Sequence, residues 1–570
     1  IEVNEVSLGT PVEVTVAGNA DGIVYFTWSP SVVGAANVVA SLGSAPAGDN
    51  PDDNTAALTL NVTDEHLPLI LIDAGHGNMN TAGDEMKAFI NDLSDHKYNV
   101  LKNLDALTAS DLNPDVVKLL IITAPQNAYT LDEQTAIGNY VAAGGSLWIG
   151  GLADYTGSVP WAATVADREN ALLDTVETVT GQDINMRMND DEVIDANTNN
   201  GYVFGVIWQD FPGAAATGIG LNVESVATWS LSSIVDGNKQ ALTADDAGVQ
   251  IIMQGDLDEG FGPSPWRNPN HTSNTDADSA GDAYIYNPTW VYPNPMPADA
   301  VPLPGAAVTD LPGNAGRILL YGDSNDPFTT FAYTAGDGKQ NELFNLQAIM
   351  WLLGEPLQKS TIAEARAQAV EDQPDKLDSL VWVEGEITAA YGEFFNVLYV
   401  QDDTGGITVH APAGDIDATN FTRGTHVRVI GTIGIYNGDT EIEFFEAEMV
   451  QVIPPTAYDA VPLVLTTVQA GLETNEGWLV TVTGTVTGKV GTDTLIVNDG
   501  SGPVRIFLDG YNGSFADIQV NSRVQVFGLA SEDGDGARIR VRNYKFHAGI
   551  DDDVIVLSTG SNLYLPLIVR

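Results

Sequence analysis

LPLILID at 67–73, KLLIITAP at 118–125 and SLWIGGL at 146–152 are three apolar runs that decide the fold, and LDEQTAIGNYVAAGG separates the last two. Consecutive Ile, Leu and Val side chains are typical of strands buried on both faces, whereas the intervening segment has helical spacing. This stretch therefore predicts a parallel sheet with helices packed against it, and the rest of the chain is arranged around that α/β core.

The α/β domain is expected to span residues 65–357. GRILLYGDSNDP (316–327) and ELFNLQAIMWLLGE (342–355) predict its last strand and its last helix. Pro, Asn, Gly, Asp and aromatic residues crowd positions 255–316, which predicts a long irregular loop insertion. Loops of that length are uncommon in compact domains unless they are functional or interfacial.

Residues 1–64 alternate short apolar and polar runs, such as VEVTVA and AALTLNVTD, between Gly, Asn, Asp and Pro turns. Such alternation is typical of antiparallel strands with one buried face. We predict an immunoglobulin-like β-sandwich for this segment.

An internal repeat occupies residues 358–456 and 457–549. Asp402 and Gly431 are 29 residues apart, and Asp499 and Gly528 have the same separation. Equal spacing of matched motifs indicates a duplicated domain. Five predicted strands in each copy favour an OB-fold, a small closed barrel. Residues 550–570 form a C-terminal tail with an apolar strand that belongs to neither barrel by its spacing.

Charge restricts the partners of this chain. It carries 23 Lys and Arg against 77 Asp and Glu, a formal net charge of −54, and its first basic residue is Lys87. A surface so negative repels nucleic acid and anionic lipid and favours divalent cations. Nucleic acid is therefore not an expected partner.

The 570 residues include no Cys, which excludes disulfides, thiolate zinc sites and thiol nucleophiles. Avoidance of Cys over this length indicates an exported protein. Ile1 begins directly in a strand-like segment without a signal peptide, so a processed or trimmed chain is expected. No apolar run reaches the about 18 residues that a membrane helix needs.

The α/β segment resembles the class I glutamine-amidotransferase-like fold, a flavodoxin-like domain. LILIDAGHGN, KLLIITAP, YVAAGGSLWIG and GRILLYGDSNDP carry the resemblance. Active members of that superfamily use a Cys nucleophile, which this chain lacks, so the resemblance implies a catalytically silent domain.

Two further resemblances concern the C-terminal half. LYVQDDTGGITV (398–409) and VRVIGTIGIYNGDTEI (427–442) are similar to the OB modules of secreted bacterial nucleases and surface proteins. The ending LYLPLIVR (563–570) is similar to the C-termini of exported proteins of Chloroflexi-type bacteria, which implies export.

The polar string IDAGHGN (72–78) follows the first predicted parallel strand, at the sheet edge where α/β folds bind ligands. It resembles the IDAGHGG of zinc-dependent cell-wall amidases, in which the His is a metal ligand, but the second His of that family is missing here. We expect His76 to be a hydrogen-bonded turn residue whose replacement leaves folding nearly unchanged. A calcium site is predicted instead from the carboxylates and amide at the same edge, namely Asp73, Asp323, Asn325 and Asp326.

ARIRVRNYKF (537–546) contains the one concentrated basic patch of the chain. Strand alternation places Arg538, Arg540 and Arg542 on one face. Together with Tyr544 and Lys545 they form a possible binding face on the second barrel. The neighbouring barrel carries 5 basic against 17 acidic residues, so an acidic glycan or a protein partner is a better candidate than nucleic acid.

The sequence thus favours a non-catalytic structural subunit of an extracellular bacterial filament, sheath or surface layer. The alternatives are an extracellular glycan- or nucleic-acid-binding protein that uses the OB faces, and a metal-dependent hydrolase at the α/β sheet edge. Terminal apolar strands suit head-to-tail pairing between copies. The predicted assembly strand contains Leu563, Tyr564, Leu565, Leu567, Ile568 and Val569.

Overall fold

A computed structural model of the protein describes most of the chain after Leu67 and four short segments before it. The described residues are 2–3, 6–7, 34–41, 55–62, 67–153, 161–195, 197–202, 204–255, 261–263, 301–325, 327–329, 340–370, 373–410, 418–445, 447–547 and 551–559. The chain divides into two compact units, Ile1–Pro68 and Leu69–Arg570. The boundary lies close to the predicted end of the first domain at residue 64.

The first unit contains a four-stranded sheet in the order β2-β1-β3-β4, with antiparallel neighbours. Its strands are β1 (Glu2–Val3), β2 (Val6–Ser7), β3 (Gly34–Ser41) and β4 (Thr55–Val62). The described strands form one sheet, so the second layer of the expected sandwich stays a prediction. Among the described strands, β4 pairs with β3 alone and is an edge of this sheet.

The second unit begins with an α/β domain. Its strands are β5 (Leu69–Asp73), β6 (Asn99–Asn103), β7 (Val117–Thr123), β8 (Ser146–Gly150), β9 (Met186–Met188), β10 (Val193–Asp195), β11 (Ile207–Trp208), β12 (Val226–Ala227), β13 (Ile234–Asp236), β14 (Val249–Gln254), β15 (Phe261–Pro263), β16 (Pro304–Asp310) and β17 (Arg317–Tyr321). Its helices are α1 (Lys87–Asp95), α2 (Leu131–Ala142), α3 (Val165–Thr180), α4 (Ala214–Thr217) and α5 (Asn341–Leu352).

Seven of these strands form one parallel-rich sheet in the order β14-β16-β17-β8-β7-β5-β6. The five strands from β17 to β6 are parallel, and β16 and β14 add antiparallel at one side. Along β7, Leu119 and Ile121 join one core, whereas Leu120 and Ile122 join the core on the opposite face. Both faces are covered, as the continuous apolar runs predict.

Helices α1 and α5 pack on one face of the sheet, and α2 and α3 pack on the other. One part of the predicted insertion 255–316 is regular: Pro304–Asp310 forms the inner strand β16, of which all residues except Asp310 are buried. Pro and Gly at its start are typical of a turn, and the small apolar residues that follow show no alternation. The sequence therefore did not indicate a strand here. Residues 256–260 and 264–300 lie outside the described part of the chain.

The duplicated segment forms two closed five-stranded barrels. The first contains α6 (Ile362–Ala365), β18 (Gln368–Val370), β19 (Gln373–Pro374), β20 (Leu380–Ala389), β21 (Val397–Gln401), β22 (Gly406–His410), β23 (His426–Tyr436), β24 (Asp439–Glu443) and β25 (Val450–Val452). The second contains β26 (Leu463–Val464), β27 (Leu479–Val490), β28 (Thr494–Asn498), β29 (Pro503–Leu508), β30 (Arg523–Ser531), β31 (Arg538–Val541) and β32 (Val554–Ser558).

Both barrels have the same closed strand order. The first runs β20-β21-β22-β24-β23 and closes through β20–β23, and the second runs β27-β28-β29-β31-β30 and closes through β27–β30. In each barrel the third and fifth strands are parallel, and the other neighbours are antiparallel. This arrangement is consistent with OB-like folds.

The described part of the C-terminal tail contains strand β32, which pairs antiparallel with β30 of the second barrel. The spacing did not indicate this pairing, because a strand added outside the five-strand repeat has no counterpart in the first copy. Among the described helices, none is long and apolar enough to cross a membrane.

Candidate functional site

A buried polar network lies where β5 ends, at the sheet edge that the sequence indicates. His76 Nδ1 is 3.0 Å from Asp73 Oδ2, and His76 Nε2 is 3.0 Å from Glu133 Oε1. The hydroxyl of Tyr129 donates to the same oxygen of Asp73 at 2.5 Å. All four side chains are buried, so the imidazole is held between two carboxylates away from water.

Glu133 reaches this network because of how α2 begins. Thr130 is the N-cap, and a capping box joins its side chain and backbone to Glu133. The second carboxylate oxygen of Glu133 accepts from Thr130, which leaves Oε1 to face His76 and the backbone N–H of Leu107. The start of one helix therefore fixes a turn that follows a different strand.

The charges of this network explain the pKa values within it. Burial lowers the pKa of His76, but the hydrogen bond and charge of Asp73, together with Glu133, outweigh burial and leave that pKa raised. Burial raises the pKa of Glu133, but its hydrogen bonds from Thr130 and the charge of His76 leave it lowered. Both shifts favour a charged imidazole beside an ionised Glu133.

Both ring nitrogens of His76 face carboxylate oxygens at 3.0 Å, so both are already engaged in hydrogen bonds. The predicted hydrogen-bonded turn is present. However, its burial and its two ion pairs make His76 a cross-link between two segments, and its replacement is therefore not expected to be neutral.

The second predicted acidic turn follows β17. Asp323 is buried, and its two oxygens accept from the backbone N–H groups of Trp229 and Asn325 at 2.8 and 2.7 Å. The Asn325 side chain accepts from Asn80 at 3.1 Å. This turn is thus linked to the loop that follows β5.

The four residues of the predicted calcium site have different surroundings. Asp73 lies at the end of β5, and β7 and β8 separate that strand from β17. Asp73 contacts His76 and Tyr129, whereas Asp323 holds backbone amides. Asp326 lies outside the described residues.

The basic strand β31 has the predicted alternation, with buried Ile539 and Val541 between the arginines. Each basic group is paired with a carboxylate. The pairs are Arg538–Asp533 at 2.7 Å, Arg540–Asp509 at 3.0 Å, Arg542–Asp553 at 2.7 Å and Lys545–Asp517 at 2.6 Å. Tyr544 is buried, and its hydroxyl contacts Asp517.

Two of these arginines are part of the contact between the barrels. The guanidinium carbon of Arg540 lies 4.2 Å from the ring centroid of Phe394, and Arg542 donates to the backbone oxygen of Thr388 at 2.5 Å. Both partners belong to the first barrel. Alternation identifies the shared face of a strand but not what covers that face, so the sequence did not indicate that Arg540 and Arg542 contact the first barrel. The binding face itself stays a prediction.

Strand β32 presents a different surface. It is the last strand of its sheet, and β30 is its one neighbour among the described strands. Ile555, Val556 and Leu557 are 45%, 36% and 49% exposed, so both faces of this edge carry accessible apolar side chains. The Arg542–Asp553 pair fixes the start of the strand.

Comparison with known proteins gives no family for this chain. No protein-family model matches it, and no curated protein matches it. Among solved structures, it is similar to the N-terminal domain of mmIFT52, with 12% identity, coverage of 50% of this chain and 96% of that domain, and a TM-score of 0.33.

Two shorter matches have lower TM-scores. The hypothetical protein ygiW from E. coli is 19% identical over 16% of this chain and 96% of its own, with a TM-score of 0.13. A murine DNA-binding protein bound to double-stranded DNA is 11% identical over 32% of this chain and 99% of its own, with a TM-score of 0.19. At these TM-scores we assign neither fold nor function from the matches.

Proposed function

We propose that this protein is a non-catalytic structural subunit of an extracellular bacterial assembly, such as a filament, sheath or surface layer, and that its main partner is another copy of itself. The observation that carries the proposal is the apolar edge of β32. Its side chains Ile555, Val556 and Leu557 are accessible, and β30 is the one described strand with which it pairs.

Exposed apolar edge strands are normally shortened, charged or covered, because they pair readily with other chains. Strand β32 has neither a Lys nor a Pro within Val554–Ser558. An edge of this kind in a soluble subunit is best explained by a partner strand, which contributes main-chain hydrogen bonds and buries alternate side chains.

The complementary edge is proposed to be β4 in the N-terminal unit of the next copy. Two different edges produce a head-to-tail contact, which continues into an open filament when the rotation between copies does not close. The predicted assembly strand Leu563–Arg570 follows β32 in sequence and lies outside the described residues.

The absence of catalysis is supported by the chemistry of the His76 network. Its imidazole is bonded on both sides to Asp73 and Glu133, so both nitrogens of the best candidate general base at this sheet edge already have partners. The metal-dependent hydrolase is therefore the less favoured function.

Finer assignments belong to the same proposal. We assign the α/β domain to the flavodoxin-like, glutamine-amidotransferase-like class, because its parallel strands follow the order 2-1-3-4-5. We assign both barrels to the OB-fold, because their order is 1-2-3-5-4-1 with parallel third and fifth strands. The N-terminal unit is proposed to be an immunoglobulin-like spacer.

The composition supports two further proposals, an extracellular location and calcium bound between copies. The lack of Cys suits an exported protein. Copies with a net charge of −54 repel one another, so calcium that bridges carboxylates of neighbouring copies would favour assembly.

The test is electron microscopy and sedimentation of the full chain beside an Ile555→Lys/Leu557→Lys variant. Lysines on the edge strand should abolish filaments and leave folded monomers. The matched control is Val464→Lys/Val490→Lys, which places two charges at exposed positions of the same barrel, on strands β26 and β27 that do not pair with β32. Filaments in the edge variant, or their loss in the control, would contradict the proposed joint.

A further inference from the structure

The first barrel brings a His and two Glu side chains together at one end of its parallel strand pair. His410 is the last residue of β22, and Glu443, the last residue of β24, lies directly opposite it. Glu441 is two residues earlier on β24 and therefore projects to the same face. One ligand atom from each of the three side chains lies within 4.8 Å of the others.

The Nδ1 atom of His410 is buried and has no hydrogen-bond partner among the described residues. It is 3.5 Å from Glu441 Oε1. Two atoms that each bind a zinc ion at about 2.0–2.2 Å with tetrahedral geometry are roughly 3.4 Å apart. The distance is thus long for a hydrogen bond but right for two ligands of one metal ion.

The other ring nitrogen of His410 faces Asn396, whose amide nitrogen Nδ2 lies 2.9 Å from Nε2. Metal binding through Nδ1 requires a half-turn of this amide, which places its oxygen there to accept the Nε2 proton and leaves the Nδ1 lone pair for the metal. Metal-binding His residues usually donate their second N–H to such an oxygen. Asn396 is therefore a positioning residue for His410.

Among the described residues, neither carboxylate pairs with a Lys or an Arg. The Glu441 side chain is 4% exposed, and His410 is its one ion-pair partner among those residues. A cation bound beside His410 would balance the charge of the two carboxylates.

Gly434 provides the space for the second carboxylate. It lies on β23 opposite Glu441, and a Cβ atom at this position would be 2.8 Å from Glu443 Oε1. The backbone of β23 thus forms a cradle for the Glu443 side chain beside His410.

We propose that His410, Glu441 and Glu443 bind one divalent transition-metal ion of the zinc class. One imidazole nitrogen and two carboxylates form a donor set typical of such ions, whereas calcium favours six or more oxygen ligands. The ion would tie the ends of β22 and β24 together, and this role is independent of the assembly proposed above.

A second cluster in the same barrel differs from the first because its ligand atoms already have hydrogen-bond partners. Glu386, His426 and Asp459 are also close together. However, His426 Nδ1 faces the hydroxyl of Thr456 at 3.2 Å, and Glu386 Oε2 accepts the backbone N–H of Ala460 at 2.6 Å. These atoms already tether the loop after β25, so this cluster provides a matched control.

The test is equilibrium dialysis of the full chain against Zn²⁺, with excess Mg²⁺ to occupy surface carboxylates, followed by metal analysis. Wild-type protein and the His426→Gln variant should each retain one tightly bound ion per chain. His410→Gln and Glu443→Gln should retain none, and Asn396→Ala should bind roughly 10–100-fold more weakly.

Circular dichroism in the presence of a chelator checks that each variant is folded, and Glu443→Gln gives the answer if His410→Gln does not fold. Titration with Co²⁺ reports the ligand geometry through visible absorption. Failure of the wild type to retain zinc, retention of the ion by a folded His410→Gln or Glu443→Gln variant, or its loss in His426→Gln would overturn the proposal.

Discussion

His76 shows what a single residue contributes at the sheet edge. Its ring bonds to Asp73 on the same turn and to Glu133 on α2, so removal of the imidazole leaves two buried carboxylates without their cation. Loss of one partner of a buried ion pair typically costs about 3–5 kcal/mol. We expect His76→Ala to lower the free energy of unfolding by about 3 kcal/mol in denaturant titrations.

The control is His547→Ala, because the His547 ring contacts an Asn oxygen and pairs with no carboxylate among the described residues. A loss of stability at His76 no larger than that at His547 would show that the network contributes little.

This stabilisation depends on pH with a defined sign. The folded-state pKa of His76 is raised, so its contribution is complete below the unfolded value of about 6.5 and disappears as pH rises through the folded value. The pKa of Glu133 is lowered. Its contribution to stability is therefore present above the unfolded value and is lost as pH falls through the folded value. The stability difference between wild type and His76→Ala should therefore be largest near pH 6 and decrease towards pH 9. A constant difference across this range would contradict the charged state.

The sequence identified part of this site. The string at 72–78 was correctly expected to be a hydrogen-bonded turn at the end of a parallel strand. Glu133 and Tyr129 were missed because they are more than 50 residues away in sequence. The Thr130-x-x-Glu133 capping box was a detectable signal for the helix start, but a cap motif does not indicate which loop its free carboxylate oxygen faces.

At the scale of elements, the repeat predicted from spacing corresponds to two barrels with equivalent glycines. A Cβ at Gly431 would lie 2.5 Å from the backbone oxygen of Glu443, and one at Gly528 would lie 2.5 Å from that of Arg540. In both copies a Gly therefore permits the fourth strand to pass close to the fifth. The equal spacing in the sequence predicted the correspondence between the copies, because each barrel needs a Gly where its fourth strand passes close to its fifth.

The packing of the barrels against each other was not predictable in this way. Gly406 of β22 and Gly477, just before β27, meet backbone to backbone: a Cβ at Gly406 would be 2.2 Å from the Gly477 oxygen. Beside them, Ala389, Phe394, Tyr399, Leu479 and Leu529 form one apolar cluster across both barrels. Contacts between repeats are unique to the pair and leave no periodic pattern in the sequence.

We therefore expect Gly406→Val to separate the barrels. The added side chain has no space between two backbones, so the interface should open while each barrel keeps its own core. Limited proteolysis should then cut between residues 453 and 463, and thermal unfolding should show a new, earlier transition. Gly534→Val is the control, because a Cβ there meets no atom within 4 Å. Equal protease resistance in the two variants would contradict this prediction.

At the scale of the whole molecule, charge opposes association. Each copy carries a formal charge of −54, and such self-repulsion weakens both compact structure and contacts between copies. Calcium bound between surface carboxylates would reduce it. Chelation should accordingly lower the melting temperature and disperse filaments, and excess calcium should restore both.

The experiment should use the His410→Gln variant, which lacks one ligand of the proposed transition-metal site. A change on chelation can then be attributed to calcium. Sodium chloride at matched ionic strength controls for simple screening. Identical melting curves in chelator and in excess calcium would eliminate calcium as a stabilising ligand.

The proposed contact between copies involves β32 and the segment that follows it. Strand β32 is docked on the second barrel by its pairing with β30, and its outer edge remains accessible. The segment Leu563–Arg570 follows it in the chain and supplies six further apolar residues. Full burial of one such side chain stabilises a contact by about 1.5–3 kcal/mol, so even partial burial of several would hold a filament together.

Deletion of Leu563–Arg570 should consequently produce soluble monomers in sedimentation and electron microscopy. Both barrels should remain folded, because β32 and its Arg542–Asp553 anchor are retained. If the truncated chain still forms filaments but Ile555→Lys/Leu557→Lys does not, the edge of β32 is sufficient for the joint. If both variants still form filaments, the contact between copies lies elsewhere and strand addition is not the mechanism.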